Sequence, residues 1–148
     1  MSKLKVGDYY SIAKEKFSTV NKIKIKLSHD RFISSISSLG DYLTWLEYTS
    51  EGRRVLAELD TVSESFRWKL QIKYDRRNAV ANKLKGTDVY NLRIAFIERY
   101  GNVNVQFEKS ISKQEIEKLL DLAENLDAML LINGKKEIKR EDLEQYFS

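Results

Sequence analysis

Residues 89–109 constrain the fold more than any other stretch of the chain. VYNLRIAFIER and VNVQFEK each alternate apolar and polar side chains, with Gly101-Asn102 between them. Strict period-two alternation describes a half-buried strand. Tyr90, Leu92, Ile94 and Phe96 then share one face, and Asn91, Arg93 and Ala95 the other. Val103, Val105 and Phe107 continue the apolar face beyond the turn. Such a pair of strands needs other elements to cover its apolar side.

Two further stretches show the same alternation. In NKIKIKL (21–27), Ile23, Ile25 and Leu27 oppose Lys22, Lys24 and Lys26. In FRWKLQIKYDRR (66–77), Phe66, Trp68, Leu70, Ile72 and Tyr74 oppose Arg67, Lys69, Gln71 and Lys73, with Arg76 and Arg77 following. Both are expected to be strands, and NAVANKLKGTD (78–88) a loop.

Helical spacing marks the rest. A helix is expected over 8–18, capped by Asp8, with Tyr9, Ile12, Ala13 and Phe17 inward. Ser28 or Asp30 caps a helix running to about Tyr48 through Phe32, Ile36, Leu39, Leu43 and Leu46, and a shorter one covers 50–59. Ser112 caps a helix from Lys113, buried through Ile116, Leu119, Leu120, Ala123 and Leu126. Asn133-Gly134 fits either a helix C-cap or the turn of a short hairpin. A short helix over 140–147 closes the chain.

The expected fold class is therefore α+β: a four-stranded antiparallel sheet with one face covered by helices and the other basic and polar. Residues 1–148 read as a single domain. It has a helical N-terminal region (8–60) with one strand at 21–27, a sheet over 65–109 and C-terminal helices over 113–147. No Pro, low-complexity tract, flexible linker or repeat interrupts it.

Register places every apolar strand residue on the covered face, since a one-residue slip would invert the pattern. The opposite face then collects Lys22, Lys24, Lys26, Arg67, Lys69, Gln71, Lys73, Asn91, Arg93, Asn104 and Gln106, with no carboxylate. Solvated faces ordinarily mix signs, because like charges opposed across strands repel. Net charge is only +4, but residues 61–109 hold ten Lys/Arg against five Asp/Glu, while residues 110–148 hold six against nine. Local potential of that kind suits phosphates, whose binding releases counterions and is salt-dependent. Trp68 and Tyr74 fall on the apolar face by alternation, so the cations rather than the rings are the expected contacts.

Several chemistries lack their residues. Cys is absent, so neither disulfides nor thiolate metal sites form. His29, the one histidine, sits at a strand-to-helix junction and cannot assemble a His pair. Asp60, Glu64 and Gln71-Ile72-Lys73 resemble a nuclease site only loosely, with Gln where an acid is needed. No glycine loop cradles a phosphate. The chain is expected to be non-enzymatic, with no catalytic residues, metal or cofactor. The longest aliphatic run, Ala128 to Ile132, is too short to span a bilayer, and MSKLKVGDYY lacks a leader's apolar core. A cytoplasmic location is the corresponding expectation.

LRIAFIERYGN and VNVQFEKSISKQEIEKLLDLAENLDAML resemble the end of the Whirly-like transcriptional coactivator family of single-stranded-DNA-binding proteins. Arg93, the turn at Gly101, the exit Ser110-Ile111-Ser112 and the helix from Lys113 occupy the matching places. The likeness covers about 60 residues when the 66–74 stretch is included. At the exit this chain lacks the glycine and leucine that flank the isoleucine in that family. The resemblance implies a curved sheet gripping single-stranded nucleic acid, and a homodimer through the final helix.

The expected function is non-enzymatic binding of single-stranded DNA or RNA. Lys22, Lys24, Lys26, Arg67, Lys69, Lys73, Arg76, Arg77 and Arg93 would meet phosphates, while Asn91, Asn104 and Gln106 supply hydrogen bonds. The alternative is a protein-interaction module or small inhibitor or accessory factor, of phage or mobile-element type, docking an acidic partner surface. Separately, Leu143, Tyr146 and Phe147, after Arg140, have the spacing of peptides that dock on sliding clamps, against the simpler reading of a terminal helix folded onto its own core.

Overall fold

The computed structural model describes residues 3–148. They form five α-helices and one open, wholly antiparallel sheet of seven strands. The strands are β1 (Tyr10–Ala13), β2 (Thr44–Trp45), β3 (Asn78–Lys83), β4 (Tyr90–Ile97), β5 (Asn102–Phe107), β6 (Met129–Ile132) and β7 (Lys136–Ile138). Their spatial order is β2-β3-β4-β5-β1-β6-β7. The helices are α1 (His29–Ser38), α2 (Ser50–Ala57), α3 (Glu64–Lys73), α4 (Lys113–Asn125) and α5 (Leu143–Phe147).

From Leu92 on, the hairpin that leads the sequence forms as expected, with Ile94 facing Val105 and Phe96 facing Val103; Tyr90 packs instead with the Leu46–Tyr74–Val80 cluster. Leu92, Ile94, Phe96, Val103, Val105 and Phe107 join one core with Phe32 and Ile36 of α1 and the inward row of α4. Ser112 caps α4 through a reciprocal bond with Glu115. Asn133 and Gly134 both take positive φ, 54° and 73°, as the turn of the β6–β7 hairpin. The loop has three residues, 133–135, and is closed by the Lys135 N–H donating to the Ile132 carbonyl (3.1 Å); Asn and Gly are the residues that most readily adopt its left-handed backbone.

Several expectations fail: the sheet has seven strands instead of four, and the elements around it are redistributed. Residues 10–13 are a strand between β5 and β6, not part of a helix. All four are buried, because elements cover both faces of the sheet there, and a strand buried on both sides loses its alternation. Residues 21–27 are not a strand: a 3₁₀ turn at Val20–Lys22 leads into chain that joins no strand of the sheet. The Glu15 carboxylate takes the backbone N–H groups of Lys24 and Ile25 in place of a neighbouring strand, and Ile25 is exposed. The long helix after Ser28 stops at Ser38, and Trp45 pairs with Ala79 in the short β2.

The largest departure is 66–74, which folds as helix α3. Its sequence satisfies both periods. Leu70 and Tyr74, one turn apart, turn toward Leu46, Val55, Leu56 and Val80. The Arg67 guanidinium donates to the carbonyls of Leu59 (3.1 Å) and Val62 (3.2 Å). The opposite ridge, Trp68 and Ile72, faces solvent, with Trp68 53 % exposed.

The second sheet face is thus covered at both ends and open in between. On the β3 side, α2 and α3 sit over Val80. On the β6 side, Phe17 and Ile23 cover Ala13 and Leu131. That cover is fastened where the Phe17 N–H donates to the Gly134 carbonyl (2.8 Å) and the Leu27 N–H to the Gly101 carbonyl (2.8 Å). Between the two covers lies a polar gap. No helix of the described residues is long and apolar enough to cross a membrane.

Candidate anion-binding cleft

The gap is a cleft of about 130 Å³ lined by Lys73, Asn78, Arg93, Ala95, Asn104 and Gln106. Register builds its floor. Ala95 lies between Asn78 on β3 and Asn104 on β5, and Arg93 lies opposite Gln106. The small Ala95 side chain leaves the depression, and Lys73 closes it from the last turn of α3. Asn78 Nδ2 donates to the Lys73 carbonyl (3.1 Å), tying the end of α3 to the start of β3.

A hydrogen-bond network behind the floor sets the polarity of the cleft. Asn104 Oδ1 accepts from the Tyr9 hydroxyl (2.5 Å) and from Asn102 Nδ2 (3.2 Å). Asn102 Nδ2 also donates to Ser11 Oγ (2.9 Å) and to the Tyr9 oxygen (3.0 Å). With its oxygen occupied twice, Asn104 turns its NH₂ group away from that network, and this donor has no partner among the described residues. Lys73 and Arg93 likewise have no ion-pair partner among the described residues, and no carboxylate lines the cleft. Two cations and an oriented amide make it a donor-rich site, suited to an anion.

Beside it, burial above all holds the Tyr74 phenol above its ordinary range, with Glu51 adding to the effect and Arg93 and Arg54 opposing it. The Lys73 ammonium lies 5.5 Å from the centre of the Tyr74 ring. Along α3, Phe66, Lys69 and Lys73 follow one side of the helix at i, i+3 and i+7. All three are exposed, and they lead over about 10 Å into the cleft.

Of the residues expected to bind, Lys73, Arg93, Asn104 and Gln106 meet in the cleft, and Lys69 lies one turn from it. Lys22, Lys24 and Lys26 are exposed but sit on the segment over the β6 side and do not line it. Arg67 is committed to the Leu59 and Val62 carbonyls. Arg77 pairs with Glu98 (3.2 Å), and Arg76 with Asp75 (3.4 Å). Asn91 is buried: its Nδ2 donates to the Ser110 carbonyl and Glu115, while its Oδ1 accepts from the Lys109 and Ser110 N–H groups. These bonds hold the exit from β5, and Asn91 does not line the cleft.

Leu143 is buried, and the partly buried Tyr146 and Phe147 pack on the main core. Phe66 and Trp68, expected in the core, are exposed instead. Sequence reasoning missed Asn78, because small residues around it (NAVAN) looked like loop; the alternation of Ala79 and Ala81 onto the core face was the available signal. Among the described residues, no three His, Asp or Glu side chains group as metal ligands.

Set against family models, curated proteins and solved structures, the chain matches none.

Proposed function

We propose that this protein binds single-stranded nucleic acid without catalysing a reaction, seating a phosphate in the cleft. The observation that carries this reading is the pair of unneutralised cations, Lys73 and Arg93, beside the free Asn104 amide with no acid in the lining. Phe66 and Lys69 extend the surface along α3. An exposed ring next to cations is how single strands are commonly held, the ring stacking on a base while the cations meet phosphates.

A fluorescence-anisotropy titration tests the proposal, with labelled single-stranded DNA, duplex DNA and RNA at several salt concentrations. Wild type is compared with a Lys73→Glu, Arg93→Glu variant. Single strands should bind best, with affinity falling as salt rises. The variant should lose most of that affinity, and its salt slope should shrink by about one for each phosphate no longer neutralised. Absence of binding at the lowest salt overturns the reading. It would favour the docking of a protein partner on α3, where the exposed Trp68 and Ile72 lie beside Lys69 and Lys73.

A further inference from the structure

The cleft has a direction. Along β5, exposure rises from Asn102, which is fully buried, through the half-buried Asn104 to the exposed Gln106. Along β4 the neighbouring position changes in the same sense, from half-buried Ile97 and Ala95 to exposed Arg93. Across the strands, the α3 end closes one side and the Phe17–Ile23 cover the other. Exposure is greatest at Arg93 and Gln106 and least at the buried Asn102, so the Arg93–Gln106 end is the accessible one. A site entered from one end suits the end of a chain better than its middle.

Charge points the same way. An internal phosphodiester carries one negative charge, whereas a phosphomonoester carries about 1.5 to 2 at neutral pH, its second pKa lying near 6. Two cations without a neutralising acid balance a dianion, and the Asn104 NH₂ adds a fixed donor for one of its three terminal oxygens. Resting on the nucleic-acid reading above, we infer that the cleft recognises a terminal phosphomonoester, the phosphorylated end of a single strand, in preference to an internal phosphate.

The test compares one oligonucleotide sequence in three forms: 5′-phosphorylated, 3′-phosphorylated and with both ends hydroxyl. Each is titrated at fixed salt, with a nucleoside monophosphate as competitor. One phosphorylated form should bind about tenfold more tightly than the hydroxyl form, a difference of about 1.4 kcal/mol. That preference should shrink as pH falls through about 6, where the dianion is lost.

Asn104→Asp keeps the shape and the oxygen that accepts from Tyr9, but places an acid in the cleft. It should abolish the preference and weaken binding of all three forms, while the circular dichroism spectrum is unchanged. Ala95→Leu, which fills the floor, should act likewise. Equal affinity for all three forms overturns the inference and leaves the nucleic-acid reading standing. If the monophosphate alone binds as tightly as the phosphorylated strand, phosphomonoester recognition stands and the nucleic-acid reading falls. If none of the ligands binds, both fall.

Discussion

The Tyr9 hydroxyl donates to Asn104 Oδ1, and this bond decides which end of the Asn104 amide is left to face the cleft. Tyr9 precedes β1 and Asn104 lies in β5, so a bond between neighbouring chain segments controls the polarity of a site that Tyr9 does not line. Tyr9→Phe removes the donor and lets the amide rotate. A neutral hydrogen bond contributes about 0.5–1.5 kcal/mol net. Oligonucleotide affinity should fall about three- to tenfold, and urea unfolding should shift by no more than about that 0.5–1.5 kcal/mol.

Asn91 and Glu115 should behave in the opposite way. Glu115, only 1 % exposed, accepts from Asn82 and Asn91 at one carboxylate oxygen and from the Ser112 N–H and hydroxyl at the other. Removing either side chain leaves buried groups without partners, at a cost of about 1–3 kcal/mol each. Asn91→Ala and Glu115→Ala should lower the urea midpoint by a corresponding amount. Affinity per folded molecule should not change, because neither residue reaches the cleft.

Alkaline pH should weaken the fold through Tyr10. Burial first, then Asp8, push its phenol up to about 12, against an ordinary value of 10. A group whose folded pKa is raised contributes stability that is fully present below the unfolded value and is lost as pH rises through the folded one. The loss should therefore develop between pH 10 and 12 and approach about 2–3 kcal/mol beyond it. Thermal melts across that window should show a smaller decline for Tyr10→Phe than for wild type.

The two tryptophans report on α3. Trp45 is buried in the main core, and Trp68 stands in solvent on the outward ridge. In Trp45→Phe, the remaining Trp68 emission should be red-shifted and readily quenched by acrylamide. In Trp68→Phe, Trp45 should emit further to the blue and resist quenching. The reverse result would mean that residues 66–74 pair as a strand with Trp68 inward.

What was legible in the sequence depended on how many faces an element buries. β4, β5 and α4 each bury one face, and their periodicity showed it. β1 buries both and read as helix. Residues 66–74 fit a period of two as well as a helical one; the packing of Leu70 and Tyr74 against β3 and the 3₁₀ turn before α2 decided between them, and no local pattern reveals such packing. Lys73 and Arg93 were both selected as cations of a single sheet face. They do meet, but one comes from a helix end and the other from a strand. Asn91 shares the alternation of Arg93, yet Glu115 packs against it from 24 residues away. Only the tertiary arrangement separates a ligand-facing amide from a structural one.

The sheet's outermost strands are also its shortest, two residues in β2 and three in β7. A row of unpaired backbone donors and acceptors invites another chain to extend the sheet, and brevity at the edge is one way such joining is limited. Here the long strands, β3, β4 and β5, all lie inside. The lysines at 135, 136 and 139 place like charges where a second copy would have to dock against β7. A seven-stranded protein of this design should resist edge-to-edge aggregation at high concentration, and β7 without those lysines would be where fibrous association begins.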